Sequence, residues 1–182
     1  KPDWCILDID PKGATFAGAV AIARAIHALA EAICLPHFIK TSGSEGLHVL
    51  IPLGGRMRFE QSRHLAEAIG RVVVAELPDV ATLERQPRKR GGRVYVDTLQ
   101  NGHGKLLVAP FSVRPLPGAP VSMPLRWSEV NARLDPKRFT LRNAVARMQR
   151  LGEDPLQGVR DPAPDLSAAL GRLATRLREA NA

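Results

Sequence analysis

Residues 4–10, WCILDID, alternate: Cys5, Leu7 and Ile9 fall on one side of an extended chain, and Trp4, Ile6, Asp8 and Asp10 on the other. Period two predicts a strand with both aspartates on one face. The period then changes. In TFAGAVAIARAIHALAEAICL the apolar residues Ile22, Ile26, Leu29 and Ile33 recur at helical spacing, and Thr15 suits the N-cap. His27 on this helix reads as a surface or packing residue. HFIKTSGSEGLHVLIPL returns to alternation, Leu47, Val49 and Ile51 against His48, Leu50 and Pro52, so a short strand, the turn SGSEG and a longer strand are expected. A second amphipathic helix is expected over 60–77, carrying Leu65, Ile69, Val72, Val73 and Leu77. VYVDTL is another strand, with Tyr95 and Asp97 on one face, and KLLVAP reads as its hairpin partner across the QNGHG turn.

Beyond that the pattern loosens. Residues 110–124 contain five prolines, which predicts an ordered loop. A short helix is expected after PLRWSEV, one over 140–151 closed by Gly152, and one from the N-cap Asp165 to about residue 180. Residues 153–165 have linker character. Strands alternating with helices over 182 residues predict one α+β (mixed α/β) domain, residues 1–182, without internal repeats.

Composition sharpens this. Hydrophobic residues make up 45% of the chain, enough for a real core. The net charge of +8 favours a polyanionic partner over a neutral small molecule. Cys5 and Cys34 form no CxxC and sit in apolar surroundings, so both are expected to be buried thiols in a reducing cytoplasm. No apolar run reaches the ~20 residues of a membrane span, and no signal peptide is recognisable. Because KPDWCILDID enters a core strand almost at once, the sequence reads as cut within a larger domain.

Candidate chemistry begins with the strand aspartates. Asp8 and Asp10, joined by Asp97 from a neighbouring strand, would repel one another unless cations lay between them. Oxygen-only sites select Mg²⁺ or Mn²⁺, and a pair of such ions can clamp both oxygens of a phosphoryl transfer. A DxD alone also occurs in surface turns and metal-dependent glycosyltransferases. KTSGSEGLH offers turn amides, the Ser42 hydroxyl, the backbone at Gly43 and the His48 imidazole to phosphate oxygens; an ordinary glycine-rich hairpin with a half-buried His48 is the competing reading. The basic run Arg85, Arg88, Lys89, Arg90 and Arg93 precedes the Asp97 strand and brings positive charge to the mouth of the carboxylate site, or forms a solvated surface.

Taken in order, LDIDP, KTSGSEGLHVLIPL and the block 93–130 from RVYVDTLQNGHGKLLVAP onward resemble the polymerase domain of bacterial DNA ligase D, a branch of the archaeo-eukaryotic primase superfamily. The resemblance runs from residue 1 to about 160. It implies a primase-like core with an RRM-like sheet bearing the carboxylates. It also implies Mn²⁺ or Mg²⁺ held by Asp8, Asp10 and Asp97, and a nucleoside triphosphate bound by Ser42, Gly43, His48, Arg90, Gln100 and Arg114. Arg88, Lys89 and Arg93 are the candidate nucleic-acid contacts. Family members add nucleotides, favouring ribonucleotides, to DNA 3′ ends at gaps and breaks during non-homologous end joining. They act with a fused or separate ligase and with Ku, in the bacterial cytoplasm at the nucleoid. Glu45 stands where the family pattern has a basic residue, Thr98 where it has an aromatic one, and Phe111 where it has tyrosine. Members also carry about a hundred or more residues ahead of the first motif, a whole small domain's worth. The alternatives are a catalytically idle nucleotide- or nucleic-acid-binding module and a metal-dependent nuclease.

Overall fold

A computed structural model describes residues 1–161 and 165–180. Its centre is a six-stranded sheet of β1 (Trp4–Asp10), β2 (Phe38–Thr41), β3 (Leu47–Pro52), β4 (Ala81–Thr82), β5 (Val94–Asp97) and β6 (Pro124–Leu125), in the spatial order β4-β5-β1-β3-β2-β6. Between β1 and β2 runs α1 (Phe16–Ala32), and α2 (Phe59–Glu76) follows β3. The inner strands β5-β1-β3-β2 pair antiparallel throughout. They therefore form two interleaved crossovers, β1-α1-β2 and β3-α2-β5. Crossovers of one hand place both helices on the same face of the sheet. The expected RRM-like sheet is this arrangement, and it leaves the opposite face for chemistry.

The two faces follow the alternation. Cys5, Leu7, Ile9, Ile39, Leu47, Val49, Ile51, Val94 and Val96 belong to the single buried core beneath α1 and α2. Thr15 caps α1 as expected, its hydroxyl accepting from the Gly18 amide at 3.2 Å. Cys5 is buried and donates to the Ser62 carbonyl on α2, and burial pushes its thiol pKa up to about 12. At Gly46 any Cβ would stand 2.4 Å from the Ile9 carbonyl oxygen, so close passage of the SGSEG turn over β1 requires glycine there. Near the end of the chain, α4 (Leu166–Ala180) packs on α2 and is capped by Asp165, whose carboxylate accepts from the Ala168 amide.

Several expectations need correction. KLLVAP is not a strand. The edges of β5 are taken by β1 and, at its start, by β4. After Asp97 the chain turns away, and the Asn101 side chain occupies the place of a strand neighbour, accepting from the Ile6 amide at 2.8 Å and donating to the Ile6 carbonyl at 2.7 Å. Leu106 is left almost fully exposed. Cys34 is exposed too, because it sits in the left-handed turn (φ 54°) that ends α1. The segment 110–124 is an ordered loop folded on itself, with Val113 bridging Val121 and the pairs Phe111–Ser122 and Arg114–Pro120 joined by backbone hydrogen bonds. The helix expected over 140–151 is shorter, α3 (Ala144–Leu151), because Thr140 bridges Pro120 instead. Gly152 ends it in the left-handed conformation, as expected. The short helix expected after PLRWSEV is reduced to a 3₁₀ turn, Pro136–Arg138, and another 3₁₀ turn, Trp127–Glu129, lies inside PLRWSEV itself. Residues 153–165 are less linker-like than their composition suggests, since Leu156 is buried in them; residues 162–164 of that stretch lie outside the described part.

Candidate active site

Strand register assembles the polar residues on the helix-free face. Asp97 of β5 lies opposite Asp8 of β1, Asp8 opposite His48 of β3, and His48 opposite Lys40 of β2. Four charged or titratable side chains thus form one row across four strands, with Asp10 a further step along β1, opposite Tyr95.

Each carboxylate has its own protein partners. Asp10 accepts from Arg90 Nη1 at 3.1 Å. That guanidinium is buried, lies 4.5 Å from the centre of the Tyr95 ring, and donates through Nε and Nη2 to the carbonyls of Glu84 and Arg85. Asp97 accepts from the Leu99 amide at 2.7 Å, the Tyr95 hydroxyl at 3.2 Å and Gln100 Nε2 at 3.3 Å. Burial and the adjacent Asp97 charge together push the Tyr95 hydroxyl pKa up to about 12, so it stays a donor. Asp8 is met by His48 Nε2 at 3.4 Å.

Behind Asp8 lies a buried basic end that the motifs did not announce. Lys40 is completely buried. Its Nζ donates to Ser122 Oγ at 2.7 Å and lies 2.8 Å from His48 Nδ1. With Lys40 as an ammonium, which only donates, His48 Nδ1 is the acceptor and the imidazole proton sits on Nε2, facing Asp8. Ser122 Oγ in turn donates a hydrogen bond to the Thr41 carbonyl. Desolvation lowers the Lys40 pKa to about 7 against the opposing pull of Asp8, and desolvation likewise lowers that of His48.

The structure therefore brings Asp8, Asp10, Asp97, His48, Arg90 and Gln100 together on one face. The three carboxylates are not drawn into a single knot, however. Among the described residues the group of His, Cys, Asp or Glu with ligand atoms all within 4.8 Å of one another is a different one, His27, Glu31 and His37. The repulsion expected of three bare carboxylates is instead met by a separate partner for each. The SGSEG turn also differs from expectation: the amides of Ser44 and Gly46 donate to Ser42 Oγ, at 3.1 and 3.0 Å, so the hydroxyl organises the turn from inside and those two amides are already used. Gly43, with φ +72°, passes against the backbone of Ser122 and the Arg114 side chain, and Arg114 Nη1 donates to the Ser42 carbonyl. Of the basic run, Arg88 and Lys89 are exposed on a 3₁₀ turn, whereas Arg93 is tied to the Arg90 carbonyl. Glu45 is exposed and lines a cleft of about 610 Å³ with Pro11, Gly13, Pro136 and Lys137; it does not pair with the buried Lys40.

Lys40, Ser122 and Tyr95 were missed as site residues. Lys40 in FIKT looks like any outward polar position of a half-exposed strand, and only the register opposite His48 reveals its place.

The chain is similar to known proteins in sequence and in fold. A family model described as LigD, primase-polymerase domain, matches residues 1–156. The chain is 32% identical over 174 residues to the multifunctional non-homologous end joining protein LigD of Pseudomonas aeruginosa, covering 94% of this chain and 21% of that protein. It is 30% identical over 176 residues to the bifunctional non-homologous end joining protein LigD of Bacillus subtilis, covering 95% of this chain and 29% of that protein. A solved structure of the polymerase domain of Mycobacterium tuberculosis ligase D in complex with DNA superposes with a TM-score of 0.80 at 30% identity, over 89% of this chain and 56% of that one. The chain thus spans a minor part of the full-length relatives and just over half of the solved domain.

Proposed function

The chain belongs to the LigD primase-polymerase domain family, and from that premise we propose that it is a metal-dependent nucleotidyltransferase acting on DNA 3′ ends. It would add nucleotides, ribonucleotides included, in gap filling and end extension during bacterial non-homologous end joining. The observation that carries this reading is the row Asp97–Asp8–His48 with Asp10 beside it, which puts three carboxylates and a proton-bearing imidazole on one helix-free face.

Asp8, Asp10 and Asp97 are the residues that would hold Mg²⁺ or Mn²⁺. The donor set fits hard cations, because it consists of carboxylate oxygens, and the side chains of Asp8 and Asp10 keep part of their surface open to solvent. When bound, such ions neutralise the attacking and leaving oxygens of a phosphoryl transfer. The chain's own groups position the reactants. His48 Nε2–H and the Ser42–Gly43 turn face the triphosphate, and the Arg90 guanidinium holds the Asp10 carboxylate in place and could share itself with a phosphate. Arg114 and Gln100 complete the nucleotide contacts. Arg88, Lys89 and Arg93 face DNA, whose phosphates suit a chain of net charge +8. Residues 1–182 act as one catalytic unit beside a fused or separate ligase and Ku, in the cytoplasm at the nucleoid. Among the described residues no helix is long and apolar enough to cross a membrane.

Primer extension with Mn²⁺ and labelled nucleoside triphosphate tests the proposal. Addition by the wild type is expected, with a loss of at least about 100-fold in Asp97→Asn at unchanged circular dichroism, the order seen when one group stabilising developing charge is removed. Near-normal extension by Asp97→Asn removes the two-metal reading. Shortening of the primer without addition indicates a nuclease, and binding without either indicates an idle module.

A further inference from the structure

A second cluster lies away from the carboxylates, where α1 ends and the chain turns into β2. His27 and Glu31 stand at i and i+4 on α1, the spacing that stacks two side chains on one helix face. His37, just ahead of β2, meets them, and one ligand atom from each of the three lies within 4.8 Å of the others. The protonation states follow from the partners. His37 Nδ1 is 2.8 Å from the Leu35 carbonyl, which only accepts, so Nδ1 carries the proton and Nε2 presents a bare lone pair. His27 Nδ1 is 2.6 Å from that lone pair and donates to it, and the Glu31 carboxylate is 3.9 Å from the same Nε2.

We propose that His27, Glu31 and His37 form a binding site for a divalent transition ion of the Zn²⁺ type, separate from the sheet-face carboxylates. Two imidazole nitrogens and one carboxylate oxygen are a set that favours Zn²⁺, Co²⁺ or Ni²⁺ over Mg²⁺. The Nδ1–H···O=C bond from His37 to Leu35 is the outer hydrogen bond that ligating histidines make to lock tautomer and ring orientation. The rings are held in other ways too. Trp127 stacks on His27 at 4.3 Å and 10°, and its indole Nε1 donates to the His37 carbonyl at 3.2 Å. His37 is buried, whereas Glu31 is exposed and free to swing toward the ion. On binding, His27 changes tautomer, Nδ1 giving its proton to solvent while Nε2 takes one up, and the ion takes the place of that proton between the two nitrogens. Nitrogen ligands about 2.0–2.1 Å from a tetrahedral ion stand about 3.3 Å apart, so a small movement of His27 suffices. Water completes the coordination. The ion braces the end of α1 against the start of β2, the strand that carries Lys40.

Co²⁺ titration of the purified protein in a large excess of Mg²⁺, followed by visible absorption, tests the assignment. One equivalent of Co²⁺ is expected to give the intense bands of four-coordinate cobalt, and Zn²⁺ is expected to displace it. The bands should be lost in His27→Gln and weakened at least tenfold in affinity in Glu31→Gln, an exposed position whose substitution leaves the fold undisturbed. They should persist in Asp97→Asn. A wild-type protein without the bands would reduce the cluster to a packed histidine pair and overturns the proposal. Bands that survive His27→Gln, that are unweakened by Glu31→Gln, or that vanish in Asp97→Asn overturn it as well.

Discussion

The row across the sheet has two unlike ends. At the β5–β1 end, Asp97, Asp8 and Asp10 stand partly in solvent, each held by a donor but none sealed in. At the β3–β2 end, His48 and Lys40 are buried, and Ser122 closes the network from the 110–124 loop. The open end can exchange its partners for metal and phosphate. The closed end cannot exchange anything without leaving a buried polar group unpaired, which costs more than an ordinary hydrogen bond returns. Under the proposed function the two ends divide the work: the open end would meet the reactants, and the buried Lys40–Ser122 network would fix where His48 and Asp8 stand.

The strongest way to break this contrast is at Lys40. Lys40→Ala removes a fully buried side chain and strands Ser122 Oγ and His48 Nδ1. A loss of about 2–4 kcal/mol is expected from cavity and unpaired polar atoms together, measured by urea unfolding. The pH dependence sharpens the point. Burial lowers the Lys40 pKa from 10.5 to about 7. Between those values the unfolded chain binds the proton and the folded one does not, so stability rises with pH across that window, by at most about 1.4 kcal/mol per pH unit. The lowered pKa of His48 acts in the same direction at lower pH. Lys40→Met should flatten the rise between pH 7 and 10; a slope equal to that of the wild type would mean that Lys40 is not the group responsible.

At the open end, Arg90 tests whether its residues are as exchangeable as they look. Its guanidinium spends three donors on Asp10, Glu84 and Arg85 and lies over Tyr95, a fork that lysine cannot reproduce. Arg90→Lys should cost about 1–2 kcal/mol in unfolding and raise the nucleotide Km. A raised Km at unchanged stability would put Arg90 wholly among the reactant contacts. Lost stability at unchanged Km would make it part of the closed framework.

Legibility in the sequence follows the same division. The aspartates were visible because a charge in an apolar strand has no structural reason to be there, and the two-residue period placed Asp8 and Asp10 on one face unaided. His48 was visible through its turn. Lys40 was not, because its burial depends on Ser122, far along the chain, folding over β2, and no local period records that. KLLVAP was misread for a related reason: it has the composition of a strand, but β5 offered it no free edge once β1 and β4 had paired. The partners of each carboxylate, Arg90, Tyr95 and the Leu99 amide, likewise depend on tertiary placement.

Glu45 gives the smallest and most discriminating test, because by position it belongs to the motif proposed to face the phosphates and by structure to the surface. The turn that carries it is organised by Ser42 Oγ, which takes the amides on either side of Glu45, while the carboxylate itself lies in a cleft beside Lys137. A carboxylate inside the field of a triphosphate would oppose nucleotide binding strongly, and its replacement by lysine would lower the apparent Km by an order of magnitude at low salt. An exposed carboxylate near a surface lysine interacts weakly and is screened within about a Debye length. Glu45→Lys is therefore expected to change the nucleotide Km by less than about threefold at low ionic strength, with the difference gone at high salt. A tenfold fall in Km would place the side chain against the phosphates and extend the open end of the site across the SGSEG turn. A small change confines that end to the aspartates and Arg90, with the turn contributing through its backbone.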